Sequence, residues 1–243
     1  MLLGALALLA MSGQQPCWSI YDSALTHRVT EAQPAYVTYD ERIALTDDDF
    51  PILNSVAQIA YRSDGLARVD DLRFSGFSYV TNHVEPGPPL LGPYGDQRDA
   101  WLPSADPPFP IIENVHSHGG ATCSNLGIEQ YHGHTTYHLQ LTASDPNRPS
   151  VKALWIDTGS QEVWKVIASG RLLFVAAQTN VRPLADFEVE LAQEGPYVVV
   201  NHVTWSYNLR VYSQYENFFG EYYMSDFAYP NRVAENEFAV HVH

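Results

Sequence analysis

Lysine is almost missing from this chain. Lys152 and Lys165 are the only two among 13 basic residues, which face 28 acidic ones for a formal charge of −15. A surface of that sign repels a nucleic-acid backbone, and no basic stripe offsets it. An anionic membrane surface is disfavoured for the same reason. Cysteine is equally scarce: Cys17 and Cys123 exclude a disulfide-dense scaffold. In an oxidising compartment they could form one bridge, tying the N-terminal segment to the stretch before Ile128. Sequence alone leaves that pairing open, because it gives no Cα separation. Long apolar runs are lacking too. Leu2–Met11 is about ten residues, too short for the roughly 30 Å of hydrocarbon that a membrane helix spans. A Gly-x-Ser-x-Gly elbow, a phosphate loop and a dinucleotide fingerprint are all absent, so the motifs imply no cofactor.

What is present begins with a targeting signal. Leu2–Met11 supplies an apolar core, and Ala10 and Ser12 fit the small-x-small pattern of a cleavage site, so residues 1–12 read as a signal peptide. A basic leader is missing from it, since the first Arg or Lys is Arg28. The expectation is a periplasmic or otherwise exported protein that is not integral to the membrane. Residues 13–243 fit one domain, because all-β domains of this size often remain a single unit.

Tyrosine (15), phenylalanine (10) and proline (16) are plentiful, a balance that suits short strands and turns. Trp18 to His27 reads as a short helix or an extended arm. Tyr36 to Leu45 alternates as a strand, and Val56–Arg62 and Leu66–Asp70 flank the hairpin cue Ser63-Asp64-Gly65. Arg73 to His83 continues the meander. Glu85 to Pro110 holds eight prolines with little periodicity and reads as a long loop lying over a pocket or an edge. From Tyr131 to Leu141 one strand is expected, with Tyr137, Leu139 and Leu141 on one face and His132, His134, Thr136 and His138 on the other. Val151–Asp157 and Glu162–Ser169 flank Thr158-Gly159-Ser160. Gly170 is expected to close a further hairpin into Leu172–Gln178. Phe187, Val189 and Leu191 alternate with Asp186, Glu188 and Glu190 as in a half-solvated antiparallel strand. Glu194-Gly195-Pro196 turns into Tyr197–Trp205, and Asn208 leads into Val211–Phe219. The whole reads as all-β and mainly antiparallel: a large curved sheet in an incomplete barrel, with one short helix or loop on its concave side.

Three groups of residues look chemical. His132, His134 and His138 suggest a metal site, with His116 and His118 as partners from a neighbouring strand. On one strand, however, residues two apart are separated by ~6.7 Å and residues six apart by ~20 Å, whereas an ion needs each nitrogen at about 2 Å. The bland alternative is a polar sheet face that tolerates histidine. Asp157-Thr158-Gly159-Ser160 is similar to the active-site turn of pepsin-like aspartic peptidases. That chemistry takes two carboxylates sharing a proton, and a second copy is absent here, so a dyad would require a homodimer. Asp47-Asp48-Asp49 offers oxygens for calcium but lacks the ligand spacing of a dedicated loop.

Leu154-Trp155-Ile156-Asp157-Thr158, followed by a strand and Ala168-Ser169-Gly170, resembles a hairpin of bacterial outer-membrane lipoprotein-sorting proteins. These are the relatives of the LolA carrier and of the RseB sensor domain. Tyr131-His132-Gly133-His134-Thr135-Thr136-Tyr137-His138-Leu139 resembles the strand that precedes it in such proteins. The resemblance covers residues 128–174. It implies a strongly curved antiparallel sheet whose concave side, closed by helices or loops, surrounds a cavity for acyl chains. Helices that would plug such a cavity are not evident in this sequence.

The leading expectation is therefore an exported, non-enzymatic binding protein for a lipid-like or other apolar ligand, with a lipid or lipoprotein acyl chain or an envelope protein as partner. One face of the strands would line the concavity: Phe187, Val189, Leu191, Val198, Val200, Trp205 and Val211, joined by Trp155 or Trp164. For any one of these, a packed core is the competing explanation. Two alternatives stand beside it. One is an interaction domain without a small ligand, contacting protein through tyrosines between Tyr207 and Tyr229. The other is a hydrolase, metal-dependent through the histidines or a dimeric aspartic type.

Overall fold

The computed structural model describes residues 16–30, 34–47, 50–62, 66–74, 77–79, 83–86, 121–145, 150–171, 184–211 and 214–232. Helix α1 (Cys17–Thr30) precedes twelve strands. The first five are β1 (Tyr36–Asp47), β2 (Phe50–Arg62), β3 (Leu66–Phe74), β4 (Phe77–Tyr79) and β5 (His83–Pro86). Then come β6 (Thr122–Tyr131), β7 (His134–Thr142), β8 (Ser150–Asp157), β9 (Val163–Arg171), β10 (Leu184–Glu194), β11 (Tyr197–Val211) and β12 (Gln214–Ala228).

All of them belong to one antiparallel sheet in the order β4-β3-β2-β1-β12-β11-β10-β9-β8-β7-β6, with β5 beside β3. The edges β4 and β6 do not pair with each other among the described residues, so the curved sheet remains an incomplete barrel. The mainly antiparallel fold expected from the strand pattern is what the chain adopts. β1 lies between β2 and β12, so the first and last strands meet in mid-sheet.

Side-chain alternation gives the sheet one apolar face. Leu139, Leu154, Val166, Val189, Val203 and Tyr222 are direct cross-strand neighbours from β7 to β12, and all are buried. Ile43 on β1 extends the row. α1 packs on this inner face through Ile20, Tyr21, Ala24, Leu25 and Arg28, spacings that fall on one side of a helix. Its chain direction is set at Pro16, whose carbonyl accepts the amides of Ser19 and Ile20 at 2.9 and 3.3 Å. Both helix ends are fastened. Cys17 is disulfide-bonded to Cys123 on β6, which resolves the pairing that sequence left open. At the other end Arg28 is 4% exposed and donates to the Val198 carbonyl at 2.9 Å, while His27 bonds Glu162 at 2.8 Å. A cation in the last turn also suits the helix dipole.

Three sequence expectations change here. Tyr131 to Leu141 is not one strand: His132 and Gly133, with φ of 48° and 90°, form a two-residue turn between β6 and β7. Two positive φ values in succession match the twist of a tight hairpin, and glycine makes the second one cheap. Gly170 closes no hairpin, because β9 runs through it to Arg171 and pairs with β10 from Leu184. Asn208 is likewise internal to β11, where it faces Asn217 of β12 at 2.8 Å. Trp18–His27 is helical, as the first of its two readings had it. The signal segment 1–12, residues 87–110 of the Pro-rich stretch, Asp48 and Asp49, and Leu172–Gln178 lie outside the described residues.

Candidate functional site

The nine residues expected to line a ligand cavity divide between the two faces. Phe187, Val189, Leu191, Val198, Val200 and Trp205 share the inner face with α1. They do so despite a break in alternation. β11 carries one extra residue opposite Glu190-Leu191, so Val203 pairs with Val189 while Val200 pairs with Leu191. Val189, Val198 and Val200 are buried, Trp205 packs on Tyr222 with ring centroids 4.6 Å apart, and Phe187 is half-buried. Val211 ends β11 opposite Gln214. Trp155 and Trp164 are on the outer face instead. Trp155 stands between His138 and Lys165 in the cross-strand register, and Trp164 is the extra residue of a bulge in β9.

That outer face carries a row of bonded polar and aromatic side chains. His138 stacks on Trp155 at 4.2 Å, and the Trp155 indole N–H donates to Glu129. Lys165 reaches over the rings of Trp155 and Tyr131, 5.3 and 5.7 Å from their centroids, and donates to Glu188. The Tyr131 hydroxyl donates to Glu190 at 2.7 Å. His202 then joins two carboxylates, Nδ1 at 2.8 Å from Glu190 and Nε2 at 2.9 Å from Glu221, with Tyr223 stacked on its ring at 4.3 Å. Burial works to raise the Glu190 carboxyl, but bonds from His202 and Tyr131 and the charges of His202 and Lys165 hold it below the usual carboxylate range. Burial, the bond to Glu190 and the charges of Glu190 and Glu188 push the Tyr131 hydroxyl the other way, well above its ordinary value. Glu190 is therefore the anion of this network and Tyr131 its neutral donor.

A cleft opens beside the row. β9 and β10 pair from Arg171↔Leu184 to Lys165↔Glu190, and among the described residues the ladder goes no further. Bulges in β9 at Trp164 and in β11 at Asn201 flank the point where they part. The space there is about 190 Å³, walled by Tyr131, His132, His134 and Trp164 and floored by Glu190 to Gln193 and Asn201. His134 stacks on Trp164 at 3.9 Å. The Asn201 side-chain oxygen is buried without a hydrogen bond. Sequence reasoning missed this cleft. Its one visible signal is Asn201-His202, two polar residues that interrupt the valine run of β11.

The other chemical candidates resolve into structure. Asp157 Oδ1 accepts the amides of Gly159 and Ser160 at 2.8 and 2.9 Å, closing its own turn. Burial tends to raise this carboxyl, yet those amides, the Trp164 indole and the Ser160 hydroxyl outweigh it and hold it below its ordinary value. His134 lies 3.5 Å from Asp157, and His138 3.5 Å from Glu129. Among the described residues no group of three His, Cys, Asp or Glu side chains could hold a metal ion. His132 stands in the turn between β6 and β7 and not on the strand that carries His134 and His138. His116 and His118 lie outside the described residues.

No protein-family model matches this chain, and no curated protein does. Solved structures do. A LolA superfamily protein from Nitrosomonas europaea is similar at 11% identity and a TM-score of 0.43, covering 92% of this chain and 97% of its own. A DUF1329 family protein from Desulfovibrio piger has 10% identity and a TM-score of 0.44, with 93% and 98% covered. A domain named for outer-membrane lipoprotein sorting, from Vibrio parahaemolyticus, has 13% identity and a TM-score of 0.44, with 90% and 94% covered.

Proposed function

We propose that this chain is an exported, non-enzymatic binding protein that holds a lipid-like or other apolar ligand against the inner face of its open sheet. One observation carries the reading: the apolar face is far wider than the helix on it. The apolar row runs over seven neighbouring strands, β7 to β12 and β1, which at about 4.8 Å apiece make roughly 30 Å along the curve of the sheet. A fourteen-residue helix is about 21 Å long and about 10 Å thick. α1 alone is too narrow to cover that whole row, and an apolar ligand beside it is what an open curved sheet can accept. Phe187, half-buried next to Trp205, stands as its first contact, with Val189, Leu191, Val198 and Val200 behind it. The Cys17–Cys123 bridge supports an oxidising compartment such as the periplasm. Partners on this reading are a lipid or lipoprotein acyl chain and, at the exposed surface, an envelope protein.

The experiment is to purify the chain from an exporting host, extract it with organic solvent and identify bound lipid by mass spectrometry. Displacement of N-phenyl-1-naphthylamine by that lipid should weaken in Phe187→Asp, which changes a half-buried position. Empty extracts together with no displaceable probe would end the proposal.

A second reading, an interaction domain without small ligand, rests on Val56, Phe219 and Tyr223, which are 42%, 45% and 46% exposed. Val56 and Tyr223 both flank Arg42 in the register, and Phe219 is on the same side of β12, so the three share one outer patch.

A further inference from the structure

The outer-face cleft opens on the side of the sheet away from α1 and shares only Leu191 with the residues of the lipid reading. We infer that it binds a small neutral molecule carrying an amide, or an equivalent N–H and C=O pair.

Charge narrows the ligand first. Glu190 is the sole carboxylate in the lining, and both its oxygens are engaged, one by Tyr131 and the other by His202. A cation entering the cleft would have to compete with Tyr131 and His202 for that one carboxylate. No Lys or Arg lines it either, so an anion has no fixed counter-charge. A neutral polar ligand fits what remains.

Hydrogen bonding narrows it further. The Asn201 side-chain oxygen is buried and unpartnered, and a buried amide of that kind takes a donor where one is offered. Next to it, Leu191 to Gln193 are the positions of β10 beyond the end of its ladder with β9. Main chain at such positions presents N–H and C=O groups to whatever lies alongside. A ligand with a donor and an acceptor on adjacent atoms satisfies both partners, whichever way the Asn201 amide is turned.

Shape agrees. The walls are flat rings, with His134 stacked on Trp164 at 3.9 Å and Tyr131 beside His132 at 4.4 Å. A planar amide lies well against such rings. The volume of about 190 Å³ is that of about six water molecules, enough for N-acetylglycinamide and too little for a folded segment.

Titration of the intact protein with N-acetylglycinamide, followed by ¹⁵N NMR, tests this. Saturable shifts are expected at the Trp164 indole and the Asn201 side-chain amide, while methylammonium chloride and sodium acetate produce none. Asn201→Leu should weaken binding roughly tenfold, equal to about 1.4 kcal/mol for one lost hydrogen bond. Ala192→Leu, which fills the cleft from β10, should abolish it. Unchanged indole peaks elsewhere in both variants would show that they fold. The inference fails if no saturable shift appears because the cleft holds ordered water only. Equal binding by Asn201→Leu, or a preference for the ammonium or the acetate, overturns it too. Lipid recovery from the inner face would be unaffected by any of these outcomes.

Discussion

Trp205 lies directly over Gly220 on the neighbouring strand: a Cβ added to that glycine would meet the indole ring at 2.0 Å. The pair is a knob set in a gap that only a missing side chain provides. Nothing soft is available to move, because the ring is 5% exposed and packed on Tyr222. Gly220→Ala is therefore expected to destabilise the fold by ~1–3 kcal/mol through overpacking. Urea denaturation should show a lower midpoint with an unchanged slope. A variant as stable as the parent would mean that the indole is free to shift.

The Cys17–Cys123 bridge closes a loop of sequence separation 106. A cross-link of that span stabilises by about 4–5 kcal/mol in the chain-entropy account, and native bridges typically contribute ~2–5 kcal/mol. The double substitution Cys17→Ser and Cys123→Ser should lower the thermal midpoint, and reductant should do the same to the parent but not to the variant. Protection of α1 amides in hydrogen exchange should fall first, since the bridge is its attachment to β6.

Asp157 is held ionised by its own turn, with its carboxyl below the usual range once burial has been outweighed by the Ser160 and Gly159 amides. A depressed carboxyl contributes stability above its unfolded value, near 3.8, and loses it as pH falls towards the folded value. Asp157→Asn keeps a side-chain acceptor for the turn but has no proton to take up. Its stability should fall less steeply than the parent's below about pH 4, as measured by urea denaturation across that range. Asp157→Ala, which removes the acceptor, is expected to cost about 1 kcal/mol at neutral pH.

The Tyr229 hydroxyl is buried without a hydrogen-bond partner, and burial, with the Glu194 and Tyr197 charges, pushes it up to about 12. A raised tyrosine favours the folded state below its unfolded value of about 10 and withdraws that support as pH rises from there to about 12. Tyr229→Phe removes an unsatisfied group while keeping the ring against Tyr197, 4.6 Å away. It should be neutral or stabilising by up to ~1 kcal/mol at pH 7, and should flatten the alkaline loss. Destabilisation by that substitution would show that the hydroxyl has a partner.

His202 has one ring nitrogen on Glu190 and the other on Glu221. A neutral imidazole carries one N–H, so holding both carboxylates takes a second proton, on the ring or on a carboxyl. His202→Ala leaves two acids without their bridge. The Glu190 carboxyl should then titrate at a higher pH, because His202 supplies the strongest hydrogen bond that lowers it and a favourable charge. Carboxyl ¹³C NMR measures this directly, and a Glu190 titration unmoved by the substitution would mean that Tyr131 and Lys165 suffice.

The sheet was legible wherever pattern and turn chemistry agreed. β10 could be read from strict alternation, and Gly195-Pro196 from its residue types. The errors fall where one residue serves two grammars. Gly133 reads as a small residue in a strand, yet it is the second half of a turn. Gly170 and Asn208 read as turns, yet neighbouring strands hold both inside a ladder. The split of the cavity residues had a different cause. Trp155 faces outward by ordinary alternation beside the inward Leu154, and Trp164 does so as the extra residue of a bulge, whose place alternation cannot show. The cleft exists because two such bulges, at Trp164 and Asn201, come side by side on strands flanking β10. That is a fact of tertiary register.

The meeting of β1 and β12 in the middle of the sheet has a kinetic consequence. Thr38 pairs with Ala228, so the central ladder closes only after nearly the whole chain has been drawn together. Every other pairing joins strands close in sequence, and hairpins of that kind form early. Two meanders, β1 to β5 and β6 to β12, can each zip locally before they dock along one seam. A circular permutant that joins the two ends of the chain through a linker, keeping α1, and opens it between Pro86 and Ala121 would bring the two strands of the seam closer in sequence. Its contact order falls, and it should fold faster than the parent into the same sheet.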